Sequence, residues 1–141
     1  MATFTEPDCL SEDIANKIHD FNSDTFRIAL TNTAPVLGST FLLSNVTQIA
    51  AGNGYTTVAD GAGAATTLTF SRTGQVTTVS GTQVVFTATG AVGPFRYAVW
   101  INDTPTTPLN PVIGWIDHGS PITMANTDTY TLPAGPLFTI N

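Results

Sequence analysis

The sequence has almost none of the residues that cross-link small proteins or bind metals in them. Cys9 is the only cysteine among 141 residues, so an internal disulfide and a multi-cysteine metal site are excluded. His19 and His118 are the only histidines, and their separation does not match a zinc-binding spacing. We therefore expect a fold held together by packing alone, with no metal and no cofactor.

Basic residues are also scarce. Four Lys and Arg stand against ten Asp and Glu, which gives a formal net charge of -6. So few cations cannot neutralise several phosphates, and this argues against nucleic acid as a partner. Most of the acids lie in the first 24 residues: Glu6, Asp8, Glu12, Asp13, Asp20 and Asp24. The rest of the chain is close to neutral, and weakly charged surfaces tend to associate.

Long apolar runs are missing as well. The longest are only a few residues, far below the ~20 that span a bilayer as a helix. A signal peptide begins with a basic region followed by an apolar run, and the first residues do not show this pattern. We expect the protein to be made in the cytoplasm and not to associate with a membrane.

What the sequence has in abundance is threonine, at 26 residues, while charged residues make up only 10%. Threonine is β-branched and suits a half-buried strand better than a helix. The length fits one domain with its own core. We therefore expect a single β domain over residues 1–141, with its β body at 25–140.

One helix is predicted near the start, over residues 11–21. Ser11 is placed to cap it, and Ile14, Ile18 and Phe21 recur at the spacing of an amphipathic helix. Its apolar stripe is interpreted as a lid over an open end of the sheet core, with a partner-binding helix as the alternative. Residues 1–10 are predicted to form an arm without regular structure.

Alternation of apolar and polar residues predicts the strands. In residues 95–102 it places Phe95, Tyr97 and Val99 on one face and Trp100 on the other. Further strands are predicted at 25–31, 66–71, 75–79, 83–89, 112–117, 122–124, 129–132 and 137–140, with a turn and strand within 40–49 and a mobile loop at 59–65. Many short strands with frequent turns indicate a two-sheet sandwich, most simply a jelly roll of about eight strands, with an immunoglobulin-like sandwich second.

Catalytic chemistry has little support. Asp117, His118 and Ser120 are close in sequence, but strand neighbours point to opposite faces, so we interpret His118 as a turn residue. The acids of the β body all lie beside turn signals and are interpreted as hydrogen-bonding residues: Asp60, Asp103, Asp117 and Asp128. We expect no enzyme activity. Trp100 and Trp115 leave carbohydrate binding open, since aromatic faces stack on sugars, although Trp is more often a buried or interface anchor.

Five stretches resemble a widespread group of small virion proteins of tailed bacteriophages. They are FRIALTNTAP at 26–35, IAAGNGY at 49–55, FTATG at 86–90, GPFRYAV at 93–99 and LNPVIGWID at 109–117. The resemblance covers most of residues 14–140. Some members of this group are jelly-roll decoration, or cement, proteins of the capsid.

The resemblance implies a structural protein on the outer surface of the virion, made in the host cytoplasm, with the major capsid protein as its partner. A tail or fibre component is the alternative position. Because weak contacts on a repeated lattice reinforce one another in a symmetric oligomer, we also predict a homodimer or homotrimer. The candidate partner-binding residues are Phe4, Glu6, Asp8, Glu12, Asp13, Trp100 and Trp115, and the acidic arm is expected to become ordered on binding.

Overall fold

A computed structural model describes residues 3–141. It contains ten strands, one α-helix and one 3-10 turn at Leu43–Asn45. The strands are β1 Phe4–Thr5, β2 Phe26–Thr31, β3 Ala64–Thr66, β4 Leu68–Thr73, β5 Val76–Gly81, β6 Val84–Thr87, β7 Val92–Asn102, β8 Val112–Met124, β9 Thr129–Leu132 and β10 Gly135–Ile140. The helix, α1, is Leu10–Ala15.

The strands form three antiparallel sheets. Five strands pair in the order β1-β8-β7-β2-β3, three in the order β10-β5-β4, and β6 pairs with β9. The main core cluster takes side chains from all three sheets, among them Phe26, Val79, Phe86 and Phe138. The predicted all-β sandwich with one short helix is therefore confirmed, with ten strands rather than about eight.

Both faces of the five-stranded sheet are covered. Trp100 on β7 points into the main core, whereas Tyr97, Val99 and Ile101 point into a second buried cluster. Leu43 and Val46 pack on that second cluster from the segment between β2 and β3. The second buried surface indicated by the alternation on β7 is therefore part of the core.

The predicted alternation on β7 is wrong at Phe95. This residue packs in the main core with Trp100 instead of sharing a face with Tyr97 and Val99. The register between β7 and β8 shifts between Phe95 and Tyr97, which is a β-bulge or irregularity. An extra residue at such a shift turns the next side chain to the opposite face.

The helix is shorter than the predicted 11–21. It ends at Ala15 because Lys17 adopts a left-handed conformation (φ 59°), and the Ile18 N–H donates to the Asp13 carbonyl in closing the turn. Ser11 lies inside the helix, and the N-cap is Cys9, which makes no side-chain capping bond. Phe21 still reaches the main core, on which Ile14 also packs.

The predicted arm has regular structure within its described part. Phe4 pairs with Ile116 and Thr5 with Trp115 across β1 and β8. The Asp8 N–H donates to the Leu37 carbonyl at 3.0 Å. The prediction that residues 3–10 lack structure is therefore wrong, because their apolar side chains pack on the sandwich. Residues 1 and 2 lie outside the described residues.

Three local predictions also need correction. The separate strands predicted at 112–117 and 122–124 are one strand, β8, so His118 lies in a strand and not in a turn. The loop predicted at 59–65 is partly structured, since Ala59 bridges Ala62 and β3 begins at Ala64. Residues 40–49 contain a 3-10 turn and isolated bridges rather than a strand.

Candidate functional site

The two tryptophans do not form a shared platform. Each is only 5% exposed, and they lie in different clusters on opposite faces of the five-stranded sheet. Trp115 belongs to the second cluster and is covered there. Trp100 belongs to the main core, but its ring also borders an open cleft.

This cleft has a volume of about 320 Å³ and opens between the N-terminal strand and the segment that joins β9 to β10. We call it the β1–β10 cleft. Its lining is mainly apolar and consists of Phe4, Trp100, Ile116, His118, Thr131, Leu132, Pro133, Ala134, Gly135, Pro136 and Leu137. Two of the predicted partner-binding residues, Phe4 and Trp100, therefore share one site.

Phe4 is fixed in the wall of the cleft by two aromatic contacts. Its ring stacks on Phe138 with centroids 5.6 Å apart and meets Trp100 edge-on at 5.4 Å. Both geometries are favourable for aromatic pairs. Gly114 on β8 leaves room for the Phe4 ring, because a Cβ at residue 114 would overlap this ring and the Thr5 carbonyl oxygen. The cleft wall is thus preformed.

His118 is the titratable side chain that lines the cleft. Its Nε2 is in hydrogen-bond contact with the Tyr130 hydroxyl, and the two rings meet at 82°. Burial lowers the pKa of His118, against the opposing effect of Asp117, and burial also raises the pKa of Tyr130. A neutral imidazole at neutral pH follows, which keeps the cleft wall uncharged.

The Asp117 carboxylate makes its hydrogen bonds away from His118. Its two oxygens accept from Arg96 Nε at 2.6 Å and from the second guanidinium nitrogen at 2.9 Å. The Gly119 N–H also donates to it at 2.7 Å. These bonds lower the pKa of Asp117. The arrangement differs from a catalytic triad, in which the acid orients the imidazole.

The other three acids of the β body are also hydrogen-bonded to neighbouring segments. Asp103 accepts from Arg27 at 2.6 Å, and Asp60 accepts from the Asn110 amide at 2.7 Å. Asp128 accepts from the Ala125 N–H at 2.8 Å. Each carboxylate therefore ties a loop or turn to its surroundings.

Glu6 is exposed like Asp8 and Glu12, but it lines a recess at the N-terminal end of the chain. Burial raises the pKa of its carboxyl group, and within residues 3–141 its side chain has no hydrogen-bonding or ion-pair partner. It lines a recess of about 230 Å³ beside Phe138 that also includes Leu10 and Ile14. Phe138 stacks on Phe4, so this recess adjoins the wall of the β1–β10 cleft.

The remaining predicted arm residues do not join the cleft. Asp8 and Glu12 are exposed, and Asp13 lies 3.8 Å from His19. In the described part of the chain, no group of three or more His, Cys, Asp or Glu could hold a metal ion. Within residues 3–141, no helix is long and apolar enough to cross a membrane.

A scan against protein-family models, a search of curated proteins and a search of solved structures each find no match. The resemblance to tailed-bacteriophage virion proteins therefore stays a prediction.

Sequence reasoning missed most of the cleft. Ile116 and His118 lie on β8, Leu132 on β9 and Leu137 on β10. These strands belong to three different sheets, and only the packing of the sheets brings the four residues together. Gly114 is the one local signal, since it interrupts an otherwise apolar strand. A glycine inside a strand often marks the close approach of another group.

Proposed function

We propose that this protein is a non-enzymatic decoration protein of a tailed-bacteriophage head, which binds the assembled shell of major capsid protein. The observation that carries the proposal is the apolar β1–β10 cleft. The exposed Glu6 lines the adjoining recess beside Phe138. The resemblance of five stretches of the sequence to virion proteins supports the choice of partner.

The cleft suits an apolar side chain of a protein partner. Its walls are held by aromatic contacts and by strand pairing before any partner arrives. A preformed apolar recess loses little conformational entropy on binding, and filled pockets of this kind hold the energetically dominant residues of interfaces.

Glu6 supplies a charge beside the apolar recess. Its side chain is exposed and has no ion-pair partner among residues 3–141, so it is available to a cation from a partner. This supports the expected contact between the acidic arm and basic capsid residues. The arm would act as a docked strand rather than by becoming ordered on binding.

The mechanism is thermodynamic. A protein that binds the assembled lattice, and not its loosened form, stabilises the shell by mass action. Capsid lattices repeat the same site many times, so modest affinity at each site is sufficient when the bound protein is itself a symmetric oligomer.

The test mixes the purified protein with heads that lack it, then measures co-sedimentation and the temperature at which the heads release DNA. We expect saturable binding and a raised release temperature. Ala134→Arg, which places a charged side chain at an exposed position of the cleft, should weaken binding at least roughly tenfold. The matched control is Ala125→Arg, at an exposed turn outside the cleft, and it should bind normally.

Glu6→Gln tests the charged contact separately. It should weaken binding and flatten its salt dependence, since exposed ion pairs are screened by salt. Deleting residues 2–10 is not a useful test, because it would also expose Trp100 and Phe138. Wild-type protein that binds no heads would reject the proposal.

Two other roles remain as alternatives. A tail or fibre component would be found in purified tails rather than heads. A carbohydrate-binding role has less support, because both tryptophans are buried on opposite faces of one sheet. It would be recognised by glycan-array binding that Trp100→Ala abolishes.

A further inference from the structure

Strand β4 is an outer strand with a free edge. Within residues 3–141 it pairs only with β5, and every one of its residues after Leu68 is exposed. A two-residue loop joins β4 to β5, and Thr73 and Val76 flank it. In a hairpin of this kind the two flanking residues form a hydrogen-bonded pair. Hydrogen-bonded and non-hydrogen-bonded pairs alternate along an antiparallel ladder. In agreement with this, the Thr82 N–H donates to the Thr67 carbonyl at the other end of the hairpin.

The alternation decides which backbone groups are free. Thr69, Ser71 and Thr73 direct their N–H and C=O groups toward β5. Leu68 and Phe70 direct theirs away from the sheet, as does Arg72. The edge of β4 is therefore a regular row of donors and acceptors that another strand could pair with.

The other sheet edges have features that hinder pairing. β1 has two residues and β3 has three, while β6 and β9 have four each. β10 contains Pro136 and a register shift next to it. Short strands, prolines and bulges are the usual protection of an edge. β4 has six residues, no proline and an unbroken register with β5.

Phe70 adds an apolar side chain to this edge. It lies in a cross-strand row with Val79 and Phe138, both of which are buried in the main core. Phe70 itself is 52% exposed. The inner face of the three-stranded sheet thus continues beyond the core, and one more strand would cover it.

We propose that two copies of this chain pair through β4, antiparallel and about a two-fold axis at Phe70. In this register the two Phe70 side chains are direct neighbours, and each Leu68 lies opposite the partner copy's Arg72. The two Arg72 are then about 13 Å apart along the strands, which is beyond the ~8 Å screening length at physiological salt.

Several observations favour a second copy over a different partner. The strand is complementary to itself in this register, with aromatic against aromatic and no like charges opposed. Arg72 is the one charged residue of β4, so the strand contributes little repulsion between copies. An isologous contact also closes on itself, which gives a dimer and not a fibre.

The inference does not depend on the proposed capsid role, since the dimer would form in solution without heads. Pairing of one six-residue strand buries less than a standard interface of about 1,600 Å². We therefore expect a reversible dimer with a dissociation constant of roughly micromolar order.

Sedimentation velocity over a range of protein concentrations tests the inference. The wild type should shift from monomer to dimer. Phe70→Lys places two cations side by side and should raise the dissociation constant at least tenfold. The matched control is Val85→Lys, at a 49% exposed strand residue on β6, and it should leave the dimer intact. Circular dichroism should show that both variants are folded.

A second variant tests the backbone contact. Arg72→Pro removes an N–H that faces away from β5, so it should weaken the dimer while the hairpin of β4 and β5 stays paired. A wild type that is monomeric at millimolar concentration, or trimeric, would overturn the inference. Equal effects of Phe70→Lys and Val85→Lys would overturn it too.

Discussion

Phe4 meets Trp100 edge-on, with ring centroids 5.4 Å apart and ring planes at 75°. This contact joins β1 to Trp100, a buried side chain of β7. Because Phe4 also stacks on Phe138 of β10, one side chain near the N-terminus bridges two sheets. The cleft proposed to bind the capsid therefore depends on how firmly β1 is docked.

Gly114→Ala should loosen that docking. A Cβ at this position would overlap the Phe4 ring and the Thr5 carbonyl oxygen, so β1 must shift away from β8. We expect a loss of about 1–3 kcal/mol in the free energy of unfolding, as for overpacking in other cores. In a Trp115→Phe background, the fluorescence of Trp100 should shift to the red.

Gly38→Ala is the control for this change. Its Cβ would make only an ordinary contact, 3.5 Å from Asp8 Oδ2. It should leave the fluorescence and the stability nearly unchanged. Identical effects of the two substitutions would show that Gly114 has no special role in seating β1.

The two arginine–aspartate pairs should differ sharply in their contribution to stability. Arg27 and Asp103 are 2.6 Å apart with side chains only 14% and 5% exposed. Asp103 also accepts from the Gly61 N–H at 3.0 Å. Asp103→Ala leaves the Arg27 charge buried without its partner, and we expect a loss of about 3 kcal/mol or more.

Asp117→Ala should cost much less. Its partner Arg96 and its own side chain are 36% and 42% exposed, so water replaces the lost ion pair. Chemical denaturation of both variants checks the comparison. Equal losses would contradict the difference in burial.

The strands were predictable where the signal was local. Phe26, Ile28 and Leu30 alternate with more polar neighbours, and β2 forms at that place because period 2 depends only on the strand itself. The sandwich class followed from many such strands. A helix was also predicted near the start of the chain, but its N-cap is Cys9 and not Ser11. Its end depends on the left-handed Lys17, for which the sequence carries no turn signal.

The features that depend on strand pairing could not be predicted. The side of the sheet to which Phe95 points depends on the register shift between β7 and β8. The continuity of β8 through Gly119 and Pro121 depends on the same pairing. The cleft depends on the packing of distant segments, since Phe4 and Leu137 lie at opposite ends of the chain. Hydrophobic periodicity contains no information about such contacts.

The stability of the fold should fall between pH 7.5 and pH 5.5 because of His19. The Asn102 amide donates to His19 Nδ1 at 3.1 Å and to Asp24 Oδ2 at 2.7 Å, so Nδ1 acts as an acceptor on a neutral ring. Burial lowers the pKa of His19 and outweighs Asp13 and Asp24, which raise it. The unfolded chain therefore binds a proton more readily than the folded chain.

The sign of the effect follows from this difference. The contribution of the neutral His19 to the free energy of unfolding is fully present above the unfolded histidine pKa of about 6.5. It is lost as the pH falls below that value. The pKa of His118 is lowered in the same way, so both histidines contribute in this window. Urea unfolding at the two pH values should give a smaller free energy at pH 5.5.

Single substitutions separate the two histidines. His19→Gln keeps an acceptor for the Asn102 amide and should reduce the pH-dependent loss, and His118→Gln should remove the remaining part. Glu6 acts in the opposite direction, because burial raises the pKa of its carboxyl group from 4.5, and its effect is centred at lower pH than that of the histidines. A wild type with equal stability at pH 7.5 and pH 5.5 would show that neither imidazole is held neutral by the fold.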